Sequence, residues 1–433
     1  MLKKVLSLII VCVMLLAVAT SCTGPGSGGK TTITITHYYQ GTVDNAAAIL
    51  KTIKDFQEKY PNIEVKSNYI EHFTYDNKLP AMIASDTLTE LHATWAGAIA
   101  NKYISADKVT YLDESYIKDV KDKVVSGAII KDEQGRIYMS ATSFWGIVMF
   151  NNMKILNKYG FKPATTWDEL ISLCKALKEK GEIPIALGNQ DGSEVEWMLN
   201  AMQYKYGGAQ KILDMHEGKT PYNEDTWVKS AEKFLELKDS GAFPENAAPR
   251  TYDEMLAMFN DGKAAMMFEG TWVMGTMIPK GDDFLKDITV TYWPDMGTGD
   301  NEKILLGGFS DGFLMTNKAS ANDKVKDACS KFLAFLLSKE ASTNLVEQAG
   351  QMPISKDIDI NSLKANPLLK DVSKFIVAKD WNLRNIQSNL SKDTAYADIM
   401  RTKLTSGLLI GELNAKQFAE NLDKFVQEAR SNK

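Results

Sequence analysis

The structured part of the chain opens with a strand, a helix and a second strand that runs the same way as the first. Thr32-Ile-Thr-Ile-Thr-His37 is almost wholly β-branched, as a strand prefers. From Ala46 to Tyr60, Ile49, Leu50, Ile53 and Phe56 recur at helical spacing, and Pro61 ends the run. Ile63-Glu-Val65 reads as the next strand, so the opening unit is βαβ. Later, Thr166-Trp-Asp-Glu169 and Thr251-Tyr-Asp-Glu254 are capping boxes, predicting helices that end near Gly181 and Asp261-Gly262. Between them, Ile183-Pro-Ile-Ala-Leu187 is a short buried strand entering the loop Gly188 to Ser193. From Asp323 the chain is largely helical, with polar breaks at Pro353, Asn361 and Pro367. The class is α/β, in which ligands sit in crevices at the carboxyl ends of strands.

The N-terminus is expected to act before folding. Met1-Leu-Lys-Lys4 is a short basic region, and Val5 to Ala19 is an apolar run suited to secretion and too short to span a bilayer comfortably. Residues 1–21 read as a signal peptide. Ala19-Thr-Ser-Cys22 resembles the lipobox at which bacterial lipoproteins are acylated and cut, so Cys22 is the expected lipid attachment site. Residues 22–31, with Thr-Gly-Pro-Gly-Ser-Gly-Gly, form a flexible leash.

The remainder, about 400 residues, exceeds what one hydrophobic core usually serves, and two lobes are expected. The formal net charge of −5 becomes two units more negative once Lys3 and Lys4 are cleaved off. Such a balance argues against nucleic acid or an anionic bilayer as the ligand. Cys174 and Cys329 lie in helical patterns and read as small core residues rather than a disulfide framework.

Catalytic motifs fail on context. Gly24 to Thr31 matches a phosphate-binding loop, yet a strand follows it where a helix is required. Gly308-Phe-Ser-Asp-Gly312 matches a nucleophile elbow around Ser310, but all four histidines precede that serine, against the hydrolase order. The histidines also have no partners at metal-ligand spacing, so neither a metal nor a cofactor is expected. A carboxylate pair remote in sequence remains open to a glycosidase reading, with Glu269 its best acid.

The aromatics are more telling. Tyr38-Tyr39 close the first strand; Trp95 follows Leu91 to Thr94; Phe144-Trp145 interrupt the run toward Phe150; Trp197 lies past the Asn189 loop beside Glu194 and Glu196; Trp272 ends GKAAMMFEGTW (262–272). These read as strand exits and loops. A pyranose offers a flat C–H patch and a rim of hydroxyls, so aromatic faces with carboxylates and amides suit a sugar. Trp167 and Trp227 open helices and read as packing residues, and the six methionines from Met255 to Met277 as core filler.

The succession Gly135-Arg-Ile-Tyr138 with Ser143-Phe-Trp-Gly146, Trp167-Asp-Glu-Leu170, Ile183 to Asn189, Phe259 to Met266, Glu269-Gly-Thr-Trp272 and Gln351-Met-Pro353 resembles the extracellular solute-binding proteins of bacterial sugar ABC importers, from about residue 32 to 425. Leu88-Thr-Glu90 departs from that pattern, where a Pro-Asp pair is usual. The resemblance implies a two-lobed periplasmic-binding-protein-like fold with a hinge and an interlobe cleft. Lobe I is expected at 32–142 and 306–350, and lobe II at 143–305 and 351–433. The residues expected at the ligand are Tyr38, Tyr39, Trp95, Phe144, Trp145, Asn189, Glu196, Trp197, Glu269, Trp272, Phe309 and Asp311. The resemblance further implies a carbohydrate ligand, an ABC permease as membrane partner, a monomer, and capture without chemistry. A sugar-sensing lipoprotein serving a partner kinase would share the fold, whereas a surface glycosidase would return its ligand cleaved.

Overall fold

The computed structural model describes residues 29–39, 46–70, 72–112, 114–125, 127–132, 134–299, 303–309, 311–363, 367–376, 382–384 and 394–431. The signal peptide, Cys22, the leash up to residue 28 and Ser310 lie outside them. Strands are β1 Thr31–His37, β2 Ile63–Tyr69, β3 Leu91–Trp95, β4 Ile129–Lys131, β5 Ile137–Ala141, β6 Trp145–Asn152, β7 Ile183–Ala186, β8 Ala264–Gly270, β9 Ile288–Thr291, β10 Ile304–Gly308, β11 Asp311–Met315 and β12 Asn382–Arg384. They make two sheets, ordered β2-β1-β3-β11-β5-β4 and β12-β10-β6-β8-β7, with β9 also paired to β6.

The βαβ opening forms as read. β1 and β2 are parallel with Thr31 opposite Ile63, and the crossover helix Ala46–Lys59 buries Ile49, Ile53 and Phe56. Leu50 instead stands 56% exposed, on the far side of that helix. β2 runs to Tyr69, beyond the expected Val65, because pairing with all of β1 draws the polar Lys66-Ser-Asn68 into the ladder. Both capping boxes close, at Thr166 with Glu169 and at Thr251 with Glu254, starting the helices Trp167–Glu179 and Tyr252–Asn260. Pro367 begins the helix Pro367–Ile376 rather than breaking one, consistent with proline's tolerance in a first turn.

Both sheets are covered on both faces. Along β6, Ile147 and Met149 join one buried cluster while Val148 and Phe150 join another. Along β11, Phe313 and Met315 point to one side and Leu314 to the other. Such strands read as continuous apolar runs, which is why AAMMFEG is buried along all of β8. Met255, Met258, Met266, Met267, Met274 and Met277 are all core residues, as are Trp167, Trp227, Cys174 and Cys329. The two cysteines are unpaired and sit in different clusters.

Between the sheets the chain crosses at neighbouring points. After β5, Thr142 N–H donates to the Asp311 carbonyl at 2.9 Å, and β6 begins three residues later with Trp145 opposite Gly308. β10 therefore ends in the second sheet at Gly308, so Leu306 to Gly308 stand with the segments expected in lobe II. Another passage lies alongside: Met352 bridges to Phe144, and Ser355 to Val124. Phe309 packs on the clusters of both sheets.

Gly312, in β11 between β3 and β5, has no room for a side chain: a Cβ there would run into the Ser140 carbonyl oxygen and the Ala141 backbone. Gly312→Ala is expected to cost about 2–3 kcal/mol, read as a lowered urea midpoint with an unchanged slope.

Candidate ligand-binding site

The site grows from strand ends. Trp95 ends β3 and Asp311 begins β11, and the two are directly paired. Trp145 begins β6 and is paired with Gly308. Only three peptide links separate Gly308 from Asp311, a span of at most about 11 Å. The aromatic group on the first sheet is therefore held close to that on the second by covalent geometry.

On the first sheet, Tyr38 stacks on Trp95 with ring centroids 4.2 Å apart and planes 12° from parallel. The Tyr38 and Tyr39 hydroxyls both donate to Asp311 Oδ1, at 2.5 and 2.9 Å. Burial pushes the Asp311 carboxyl up to about 6, although those two hydrogen bonds oppose the shift. Both tyrosines are buried, while Trp95 and Asp311 are half-buried. One face of Trp95 is thus covered by Tyr38.

On the second sheet, three indoles meet. Trp145 and Trp197 each stand edge-on to Trp272, at 5.2 and 5.3 Å. β8 ends at Gly270, and Trp272 lies in the 3₁₀ turn Thr271–Val273. The ring folds back on its own strand so closely that a Cβ at position 270 would fall among the indole carbons Cε3, Cζ3 and Cη2. That explains the glycine in GKAAMMFEGTW: it makes room for the tryptophan two residues later. Tyr252, at the start of its capped helix, receives the Trp272 Nε1–H at 2.8 Å and donates to Glu269 Oε2 at 3.2 Å. The Gln351 side-chain amide completes the clamp, its Nε2 donating to the Trp272 carbonyl at 3.0 Å.

Glu269 is fully buried; the Gly270 N–H also donates to its Oε2, at 2.9 Å, while Oε1 has no hydrogen-bond partner among the described residues. Burial pushes its carboxyl up to about 8. Glu194 is 2% exposed and is raised well above the usual range by burial and by the charges of Asp191 and Glu269.

Asn189, Glu196 and Trp197 stand differently from expectation. Trp197 is in the helix Ser193–His216, not in a loop; Glu194 and Glu196 in the first turn were the helix signal. Glu196 is fully buried and its Oε2 pairs with Arg401 Nε at 2.5 Å, its Oε1 with Asn200 at 3.3 Å. Asn189 receives the Val195 N–H at 3.3 Å and donates toward Thr405 and Ser406, each at 3.4 Å. Both side chains therefore fasten the loop up to Gly192 and the first turn of the helix after it to the π-helical turn Met400–Leu404 and the helix that follows that turn. Gly192 packs so tightly on the Arg401 backbone that it admits no Cβ. Phe144 and Phe309 meet at 5.5 Å at the crossing between the sheets. Sequence reasoning missed Tyr252, Gln351 and Arg401. Tyr252 lies inside a capping box whose helix precedes β8, and Gln351 opens the stretch Gln351-Met-Pro353 that carries part of the resemblance; Arg401 carried no signal.

Two outcomes follow from these bonds. Arg401→Met leaves a buried carboxylate uncompensated and should cost about 2–4 kcal/mol in urea melts, with much of it restored by adding Glu196→Gln. Because folding raises the Glu269 carboxyl from its ordinary 4.5 to about 8, the folded state holds the extra proton and this group makes the protein less stable as pH rises across that interval. Glu269→Gln should flatten the fall in melting temperature between about pH 5 and 8.

The family model described as bacterial extracellular solute-binding protein matches residues 51–371. The arabinooligosaccharide-binding protein of Bacillus subtilis is 23% identical over 82% of this chain and 82% of its own length. The multiple sugar-binding protein of Streptococcus mutans is 24% identical over 87% of this chain and 88% of its own. Among solved structures, a chitin oligosaccharide binding protein superposes with a TM-score of 0.82 at 23% identity, over 93% of this chain and 99% of its own. A maltose/maltodextrin-binding domain from Bdellovibrio bacteriovorus does so with 0.73 at 19% identity, over 93% and 100%. The chain belongs to the bacterial extracellular solute-binding proteins.

Proposed function

We propose that the protein captures a carbohydrate between two lobes, each built on one of the sheets, and presents it to the membrane permease of an ABC importer. The observation that carries this reading is Trp272, a half-buried indole fixed by Tyr252, Gln351 and Gly270 beside a buried carboxyl. A ring clamped at its N–H and its backbone is a rigid platform for a pyranose face, and rigidity lowers the entropy lost on binding. Relatives named for arabinooligosaccharide and multiple-sugar binding support the same ligand class. The adjacent crossings supply a hinge about which lobes can close. The ligand leaves unchanged: the site binds hydroxyls and stacks on rings, and the ATPase that drives import is a separate chain.

Trp272→Ala is expected to weaken sugar binding by about 2–4 kcal/mol, roughly 30- to 1000-fold, in calorimetric titration. It should cost only about 1–2 kcal/mol of stability, since the ring is half-buried. Trp272→Phe should fall between, keeping a stacking face and losing the hydrogen bond to Tyr252. A strongly destabilised Trp272→Ala that binds sugar normally when folded refutes the platform role.

We further propose that Cys22, ahead of the flexible leash, carries a lipid that anchors the mature protein outside the cytoplasm. Cys22→Ala should move the protein from the membrane fraction to a soluble pool with ligand affinity unchanged. Wild-type protein found soluble and unacylated in its own host would overturn the anchor. No helix among the described residues is long and apolar enough to cross a membrane.

A further inference from the structure

Beside the Trp272 platform three buried carboxyls, Glu194, Glu196 and Glu269, have one nearby cation, Arg401, to share. Glu194 and Glu269 are 2% and 0% exposed; Glu269 acts electrostatically on Glu194, and Asp191 acts on both. Arg401 reaches this group, but its Nε is bound to Glu196. The N-terminus of the helix Ser193–His216 adds a partial positive charge, which serves the two glutamates of its own first turn. What remains is Glu269 Oε1. It is buried and unpartnered among the described residues, on a carboxyl whose other oxygen is taken by Tyr252 and the Gly270 N–H.

The hydroxyls of a neutral sugar donate hydrogen bonds but bring no charge. With such a ligand, two neighbouring carboxyls in a space poor in water repel if both ionise, so at least one is held in its protonated form. An ammonium group removes the conflict. It gives Oε1 a charge-assisted donor, places a positive charge next to both carboxylates, and is attracted by an adjacent indole face.

Resting on the reading of this site as a carbohydrate site, we infer that the ligand is an amino sugar or its glycoside, with its free ammonium group held by Glu194 and Glu269 beside the Trp272 ring. The neutral part of the pyranose stacks on Trp272, as any sugar would; the ammonium adds the selectivity.

The test is calorimetric titration of the mature chain at pH 6 with matched mono- and disaccharides in the gluco, galacto and manno series. Each is offered with a free 2-amino group, with an N-acetyl group and with a 2-hydroxyl. In the series that binds, the amino form is expected to bind about tenfold or more tightly than both neutral counterparts. Glu194→Gln and Glu269→Gln, tested separately so that one poorly folding variant does not decide the matter, should each bring that ratio toward one. Neutral forms binding as well as or better than amino forms in every series that binds overturn the inference and leave the carbohydrate reading intact. Failure of every sugar to bind overturns the reading itself and the inference with it.

Discussion

The pairing of Trp145 with Gly308 and of Asp311 with Trp95 is the constraint on which the rest depends. A strand of one sheet ends and a strand of the other begins with only Phe309 and Ser310 between, so interior strands of the two sheets, β10 and β11, are tied end to start. The Thr142 N–H to Asp311 bond and the Phe144–Met352 bridge run beside that tie. The Tyr38–Trp95 stack and the three-indole group therefore stand on either side of a narrow seam. Phe309 is in contact with the buried clusters of both sheets.

Each half of the candidate site is stiff for a separate reason. The first is stiff because Asp311 binds two tyrosine hydroxyls and one of those tyrosines lies flat on Trp95. The second is stiff because Gly270 lets an indole lie against its own strand while Tyr252 links that indole to Glu269. The acidic loop that leads to Trp197 is held from behind by a part of the chain more than two hundred residues away, through Arg401, Thr405 and Ser406. Preorganisation of this kind places the cost of ordering in folding rather than in binding.

Much of this architecture was legible from local chemistry. The βαβ opening, the two capping boxes and the buried methionines follow from periodicity and backbone donors, which act over a few residues. The positions of Tyr38, Tyr39, Trp95, Trp145 and Trp272 at or next to strand ends follow from the local pattern, but their packing does not: Tyr38, Tyr39 and Trp145 belong to the buried clusters, whereas Trp95 and Trp272 are half-buried. The roles of Asn189 and Glu196 could not be read, because both are set by partners near residue 400 that no spacing near residue 190 announces. The place of Trp197 in a helix was obscured by the loop signal of Gly188-Asn-Gln-Asp-Gly192, although two glutamates stood in the first turn. Gly270 was legible as necessary but not in purpose: what approaches its Cα is the protein's own indole.

The position of β11 has a consequence for the order of assembly. It lies between β3 and β5, so these two strands do not bond each other and each waits for a partner from residues 311–315. The whole of β6 to β10 is made before that partner leaves the ribosome. The second sheet can form most of its pairs from a continuous stretch, whereas the first, though its sequence comes earlier, closes later. Long-range pairing of this kind is slow because loop closure precedes the contacts that reward it. A nascent chain that cannot complete its leading half early keeps the facing edges of β3 and β5 unpaired until residues 311–315 arrive.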